Sequence, residues 1–395
     1  MEFKKSNIKD ISLDIKAPSG KIVSTEYTTA DASCIGRTND SINEDVDNFV
    51  ELMELIMNKK SSKGINYGNI LLDGYSPQGH AESDDELIIS AYDNKFLPQF
   101  TSDEGRAAKA NLSNKDYEIT KNKNSRLYIY DKGTHQYIGK IVLPTSAHVG
   151  GASLDSEHNI LYVTDKSGKV KAYNYDAIIS TLKERGKDEE KPTIDFSEDG
   201  LDSSLIEIDS DISIRKTLGN KEAKASTCTY HDGALYVATF DYSGALVKYE
   251  IEYNEDGSIT TKGTVLSNEL PAAVQGVSFY TDPKTGEEYL ITCQSYGGKA
   301  FGFGTSTCLK KYKITDDGKL EFAGQKELKH GFGEGIYCDE NGNITVVNEL
   351  GNTVVHDTNI NELTDEWSPE LESKYKSGVE VHKKDFSEWF GHLEM

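Results

Sequence analysis

One pattern recurs along most of this chain, and that repeat leaves few folds open to it. Each unit opens on a small or polar residue, usually beside glycine, runs as a short strand, turns tightly and continues through two more strands. The openings are PQGHAES from Pro77, HVGGASLD from His148, STCTYHD from Ser226, VQGVSFYTD from Val274 and GEGIYCDE from Gly333. The second strands are ELIISAYD, NILYVTD, ALYVATFD, EYLITCQ and NITVVNE, and the third are RLYIYDK, KVKAYNY, ALVKYEIE, CLKKYKIT and NTVVHDT. Asp232-Gly233, Asp256-Gly257, Asp317-Gly318 and Asn341-Gly342 supply the positive-φ positions that tight hairpins need. A period of roughly 50 to 75 residues, with four short strands per unit, predicts an all-β, five-bladed β-propeller.

Fourth, outer strands follow the first four units as GKIVLP, SLIEID, TKGTVLS and KLEFAGQKEL. The fifth unit lacks one. YGNILLDGYSPQG, ahead of the first unit, matches GKIVLPTSAHVGG in layout. Residues Asn69–Asp73 are therefore expected to be the outer strand of blade five, so that the start of the repeat pairs with its end and leaves no open sheet edge. The propeller is expected over residues 69–360. Residues 1–68 read as an extended arm followed by an amphipathic helix, with Ile42, Val46, Phe49, Met53 and Met57 on its stripe. Residues 361–395 read as a tail packed on the outside of blade five or one. It carries both tryptophans, Trp367 and Trp389. The insertions are unequal: the first unit carries a long loop at 94–124 between its second and third strands, the second continues into a helix from Tyr175 to Gly186 followed by a charged run to Gly200, and the fourth carries the glycine-rich SYGGKAFGFGTST.

Composition narrows the function classes. Apolar residues make up 36% of the chain, supplemented by 22 Tyr and 13 Phe, which suits strands that bury alternate side chains. Acidic residues outnumber basic ones 66 to 43, a net charge of −23 that repels nucleic acid and anionic lipid. No apolar run reaches the roughly 18 residues of a membrane-spanning helix. The first residues, MEFKKSNIKD, carry no apolar segment of the Sec type, so a cytoplasmic location or leaderless export is expected. Cys34, Cys228, Cys293, Cys308 and Cys338 lack metal-type spacing and are expected to be buried free thiols, with a Cys293–Cys308 bridge as the alternative. A monomer is expected.

In a propeller, the fourth-to-first and second-to-third connections share the face where the innermost strands enter the central channel. Two sets of residues gather there. Gln78, Gly150, Thr227, Gln275 and Glu334 start the innermost strands, with His80 and His148 nearby. Asp93, Asp165, Asp241, Gln294 and the pair Asn348-Glu349 end the second strands. Loops on a rigid scaffold are where binding concentrates. This ring of oxygens could hold Ca²⁺, or a basic or hydroxyl-rich ligand. Asp165 in DKSG and Asp241 in DYSG also fit an ordinary turn, in which the carboxylate bonds nearby backbone N–H groups. Glu334 is different. A carboxylate pointing into a narrow channel must be solvated, paired or liganded, which makes it the candidate metal ligand or acid/base. His148, between Pro-Thr-Ser-Ala and Gly-Gly, is either a ligand or general base or a hydrogen-bonded structural histidine. No GxSxG, HExxH, P-loop or zinc-type cysteine pair is present.

From Gln78 to Asn348 the chain resembles the superfamily of YncE-like, lactonase-like and glutaminyl-cyclase-like propellers. The carriers are LYIYDK–YIGKIVLP, HNILYVTDKSGKVKAY, Gln78-Gly79, Gln275-Gly276 and Phe332-Gly333-Glu334-Gly335-Ile336. The last two stand where bacterial glutaminyl cyclases, which are five-bladed, carry Gln-Gly and Phe-Gly-Glu-Gly. Both tryptophans lie in the tail, away from where a cyclase pocket would need them. The expectation is a binding propeller for a protein partner or a small polar ligand at the channel mouth. The alternative is a cyclase-like or lactonase-like enzyme at the same mouth.

Overall fold

The computed structural model describes residues 10–16, 22–28, 65–66, 70, 73, 75–93, 124–165, 168–196, 198–199, 206–209, 225–255, 259–295, 307–315, 319–328, 333–349 and 353–389. Five sheets of the propeller type account for most of them. Blade one runs outward as Tyr75–Glu82, Glu86–Asp93, Arg126–Asp131 and Tyr137–Val142. Blade two is Ala152–Asp155, Ile160–Thr164, Lys169–Asn174 and Ile206–Asp209, and blade three is Ala225–His231, Ala234–Thr239, Gly244–Tyr253 and Ile259–Leu270. Blade four is Val274–Thr281, Glu288–Ser295, Thr307–Ile314 and Leu320–Leu328. Blade five is Gly333–Cys338, Asn343–Asn348, Thr353–Asn359 and, from the other end of the chain, Ile65–Asn66. The innermost strands abut one another in cyclic order, and the fifth returns to the first, so the ring is closed.

Closure by an N-terminal strand is therefore present, but not with the expected residues. The outer strand is Ile65–Asn66, paired with Val354 and Thr353. Of the stretch assigned to that role, Asn69–Asp73, the described residues Ile70 and Asp73 lie beyond that strand and pack against blade one. Ile70 is fully buried among Tyr75, Leu87, Ile89, Tyr128 and Val347. Asp73 Oδ2 accepts from Arg126 Nη1 at 3.0 Å, Tyr128 OH at 2.9 Å and Lys140 Nζ at 2.6 Å.

The core is divided among the gaps between blades. Ile88, Leu127, Ile129 and Ile141 of blade one meet Leu161, Val163 and Tyr173 of blade two. Ile160, Tyr162 and Val170 meet Leu235, Val237 and Val247. Tyr236 and Leu246 meet Val277, Phe279 and Leu290, and Ile291 and Leu309 meet Ile336, Ile344 and Val346. Simple alternation fails for the second strands: ILYVT and ALYVAT are buried at every position. Each blade is covered on both faces by its neighbours, so its middle strands behave like those of a doubly covered sheet. Outer strands do alternate, as in Ile259–Leu270.

The helix expected after blade two is Tyr175–Arg185 (α1), capped by Asn174, whose side chain accepts from the Ala177 amide. The charged run behind it contains an unforeseen strand, Thr193–Asp195, which pairs in parallel with Tyr137–Val142 and gives blade one a fifth strand. The tail holds a 21-residue helix, Pro369–Trp389 (α2). It lies against blades three and four rather than five and one: Tyr375 and Val379 pack on Ala272, Ala273 and Cys308, with Phe240 and Tyr242 alongside. Those contacts are fourth-to-first and second-to-third connections, which places α2 on the mouth face. Asp10–Lys16 and Ile22–Thr28 form an antiparallel hairpin. The expected amphipathic helix of the arm and the loops at 94–123 and 296–306 lie outside the described residues.

Cys228, Cys293, Cys308 and Cys338 are free and buried. Cys293 sits opposite Leu309 and Cys308 opposite Gln294, so the two thiols leave opposite faces of the sheet and no bridge forms.

Candidate functional site: the channel mouth

The innermost strands reach the axis with a shared irregularity. The ladder slips between Pro77 and His80, between Ala225 and Thr227, between Val274 and Gly276, and between Gly333 and Ile336. Each slip is a bulge just inside the mouth, which breaks the alternation and re-aims the extra residue. The residues at the slips are Gln78, Ser226, Gln275 and Glu334. A bulge at the same depth in four blades explains why polar side chains converge where regular strands would turn them into the blade interfaces. Glycine follows at two of the tightest contacts. A Cβ on Gly276 would lie 2.4 Å from the Glu334 carbonyl oxygen, and one on Gly335 would lie 2.6 Å from that of Gln78. The backbone thereby fixes Glu334 between Gln275 and Gln78.

Glu334 is 3% exposed, and its Oε1 accepts from Gln275 Nε2 at 3.1 Å. Burial pushes its carboxyl well above the ordinary carboxylate range, and neighbouring Glu349 pushes it further. Glu349 is half-buried at the end of the second strand of blade five. Its pKa is also raised by burial, against hydrogen bonds from Tyr92 and Gln78 that lower it. The Tyr92 hydroxyl donates to Glu349 Oε1 at 2.7 Å, and the Tyr92 ring stacks on His148 with centroids 4.3 Å apart. Burial, followed by Glu349, raises the Tyr92 phenol well above its usual value, so it stays a donor.

Gln78 is fully buried. Its Nε2 donates to Pro77 O at 3.0 Å and is within hydrogen-bonding reach of Glu349. Both partners are acceptors, which fixes the amide orientation and leaves Gln78 Oε1 without a partner. His148 is exposed at the way in. Enclosure by the surrounding blades lowers its pKa toward about 4, and solvent reaching the ring opposes part of that shift. Direction alone makes it neutral at pH 7. The next residue, Val149, holds φ at 48°, a left-handed conformation costly for a β-branched side chain. It is held there in part by Ser90 Oγ, which donates to Val149 O at 2.7 Å. Strain of this kind persists where surrounding contacts over-determine it.

The other candidates lie apart. His80 is 3% exposed and points between blades five and one, edge-on to Tyr337; its Nε2 is 3.2 Å from Glu82 Oε1, off hydrogen-bond geometry. Asp165 accepts from Thr145 Oγ1 and lies 3.5 Å from Lys171 Nζ, while its own amide donates to Lys169 O. Asp241 accepts from the Tyr242 amide at 2.6 Å. The Asp241 bond is that of a turn residue, whereas the Asp165 carboxylate ties the Thr145 hydroxyl and Lys171 together. Asp93 ends its strand opposite Tyr75. Gln294, also at a strand end, is drawn to α2, where its Nε2 donates to Ala272 O and Glu372 Oε2. The structure thus brings Gln78, Gln275, Glu334 and His148 together with Tyr92 and Glu349. Among the described residues, no group of three or more His, Cys, Asp or Glu is placed to share a metal ion. Among them, too, no helix is long and apolar enough to cross a membrane.

No protein-family model and no curated protein matches the chain. Among solved structures it is similar to a structural-genomics protein of unknown function from Bacteroides thetaiotaomicron, with 14% sequence identity and a TM-score of 0.35. The match covers 70% of this chain and 57% of that one, so this chain spans little more than half of its neighbour's length. The functional reading rests on the geometry of the mouth.

Proposed function

We propose that this protein is a binding propeller that takes a small polar ligand at the channel mouth. One observation carries the reading: Glu334 and Glu349 are enclosed close enough together for Glu349 to raise the Glu334 pKa, and among the described residues they are hydrogen-bonded by the Gln275 and Gln78 amides and the Tyr92 phenol, an arrangement that a closed apolar core would not keep. The ring scaffold brings the six side chains from blades one, four and five and from the link into blade two, which favours a ligand that touches several blades at once. Resemblance of the blades to YncE-like propellers supports the same use of the mouth.

A second reading has its own observation. A carboxyl whose pKa burial raises well above the ordinary carboxylate range is suited to act as a general acid, so Glu334 also suits a cyclase-like or lactonase-like reaction. The test is a thermal-shift screen of cationic, anionic and neutral polar small molecules and Ca²⁺ against wild type and Glu334→Gln. It is paired with turnover assays on a glutaminyl peptide and a sugar lactone. Stabilising ligands that lose their effect in Glu334→Gln, without turnover, are the expected result. Turnover lost in the variant would move the protein to the enzyme reading. No ligand sensitive to Glu334 and no turnover would remove the mouth as the functional site.

A further inference from the structure

The chemistry of the mouth points to a narrower class of ligand. Around the two carboxyls, spare acceptors outnumber spare donors among the described residues. Glu334 uses Oε1 for Gln275, and Glu349 receives Tyr92 and Gln78, yet a carboxylate offers about four acceptor sites. Gln78 Oε1 is fully buried and has no partner among the described residues. Gln78 Nε2 and Tyr92 OH are already engaged, and Gln275 Nε2 gives one of its two N–H groups to Glu334. No Lys or Arg is among the groups that act on either carboxylate. The paired acids therefore have no counter-cation among the described residues, which leaves a shared proton or a cation from beyond those residues to balance them.

We propose that the mouth binds a primary ammonium group, its three N–H donors directed to Glu334, Glu349 and the Gln78 side-chain oxygen, with its carbon chain leaving past the Tyr92–His148 stack. This rests on the mouth being a ligand site and adds what the ligand carries. Three acceptors match three N–H donors, a count that a quaternary ammonium cannot satisfy. The exposed aromatic stack supplies an apolar and π-rich wall for the methylene stem. As the ammonium enters, the proton shared by the carboxyls leaves to solvent, so the pair ends doubly ionised around one cation. The group could belong to a free amine or to a lysine side chain presented by a peptide.

Isothermal titration of the full chain with n-propylamine, Nα-acetyl-lysine methylamide, tetramethylammonium and CaCl₂ tests this. Both primary amines, or one of them, bind wild type. Binding of propylamine alone identifies a free amine, and binding of the lysine derivative alone identifies a presented lysine. The heat changes between buffers of different ionisation enthalpy, because a proton is released. Glu334→Gln weakens the amine by about tenfold or more, as roughly expected for loss of a charged hydrogen bond. Gln78→Met, which keeps the volume and both carboxyls, weakens it as well, and thermal melts check that both variants fold. Tetramethylammonium binding as well as the amines would overturn the three-donor arrangement. Binding of neither amine overturns the inference. If a Glu334-sensitive ligand from the screen is then neutral, or is Ca²⁺, the mouth stands and only the ammonium falls; if there is none, both fall.

Discussion

At the scale of single residues, the mouth is built from groups that would be costly anywhere else. Glu334 has its folded-state pKa raised well above 4.5, so between 4.5 and the raised value the folded state holds a proton that the unfolded state has lost. The native state binds more protons there, so its stability falls as pH rises through that window and is fully present below it. Glu334→Gln removes the titration. Wild type should lose up to about 1.4 kcal/mol per pH unit from this group, while the variant gives a flatter curve and a higher melting temperature at pH 8. Parallel melting curves from pH 5 to 8 would show that Glu334 is not protonated in the native state. Much of this site was legible in the sequence. Gln78, Gln275 and Glu334 each precede glycine at a strand opening, and the repeat aligned them. Glu349 was visible as a strand-end residue, but nothing in NELGN separates a channel carboxylate from a turn carboxylate such as Asp241. Tyr92 was hidden by Asp93, since period-two reading could not decide which of two neighbours at a strand end faces the axis.

At the scale of elements, α2 is the part that sequence reasoning placed least well. Its key is Lys310, a residue with no side-chain exposure, whose Nζ is 2.8 Å from Glu372 Oε2 and 4.0 Å from the Trp367 ring centroid. Glu372 also accepts from the Ala272 amide at 2.8 Å and from Gln294. In CLKKYKIT, a third strand with three lysines, Lys310 reads like a solvated lysine, and it is buried against Glu372 of the docked helix. Its partner lies 62 residues on, beyond any local pattern. Breaking one side of a buried pair strands a charge, whereas replacing both with apolar groups can be neutral. Glu372→Leu should therefore cost about 3–5 kcal/mol, and the double change Lys310→Met with Glu372→Leu should recover most of it. Denaturant melts of the two singles and the double decide this. Additive losses would mean that the pair does not hold α2 to the mouth face.

At the scale of the whole molecule, the ring closes through a small contact backed by a larger one. The ladder between blade five and the N-terminal strand consists of Thr353 with Asn66 and Val354 with Ile65. Two such pairs contribute on the order of 1–3 kcal/mol, too little to hold a five-blade ring shut. The link behind them does more. Ile70 is fully buried against blade one and Val347 of blade five, and Asp73 ties together Arg126, Tyr128 and Lys140. Losing a buried isoleucine costs about 2–5 kcal/mol, and leaving the Asp73 donors unpaired adds about 1–3 kcal/mol. The five-blade count and the idea of closure were legible because the outer strands could be tallied. The register was not, because a buried isoleucine reads alike in a strand and in a packed link. Truncation separates the two contributions. A chain beginning at Tyr67 loses the arm and the short strand but keeps Ile70 and Asp73, and should melt slightly lower than a chain beginning at Lys63. One beginning at Gly74 also loses Ile70 and Asp73, and leaves Thr353–Asn359 as an unpaired edge. It should melt far lower and self-associate, which light scattering beside the thermal melt would register. Equal melting temperatures for all three chains, with no association, would show that the ring does not depend on this seam.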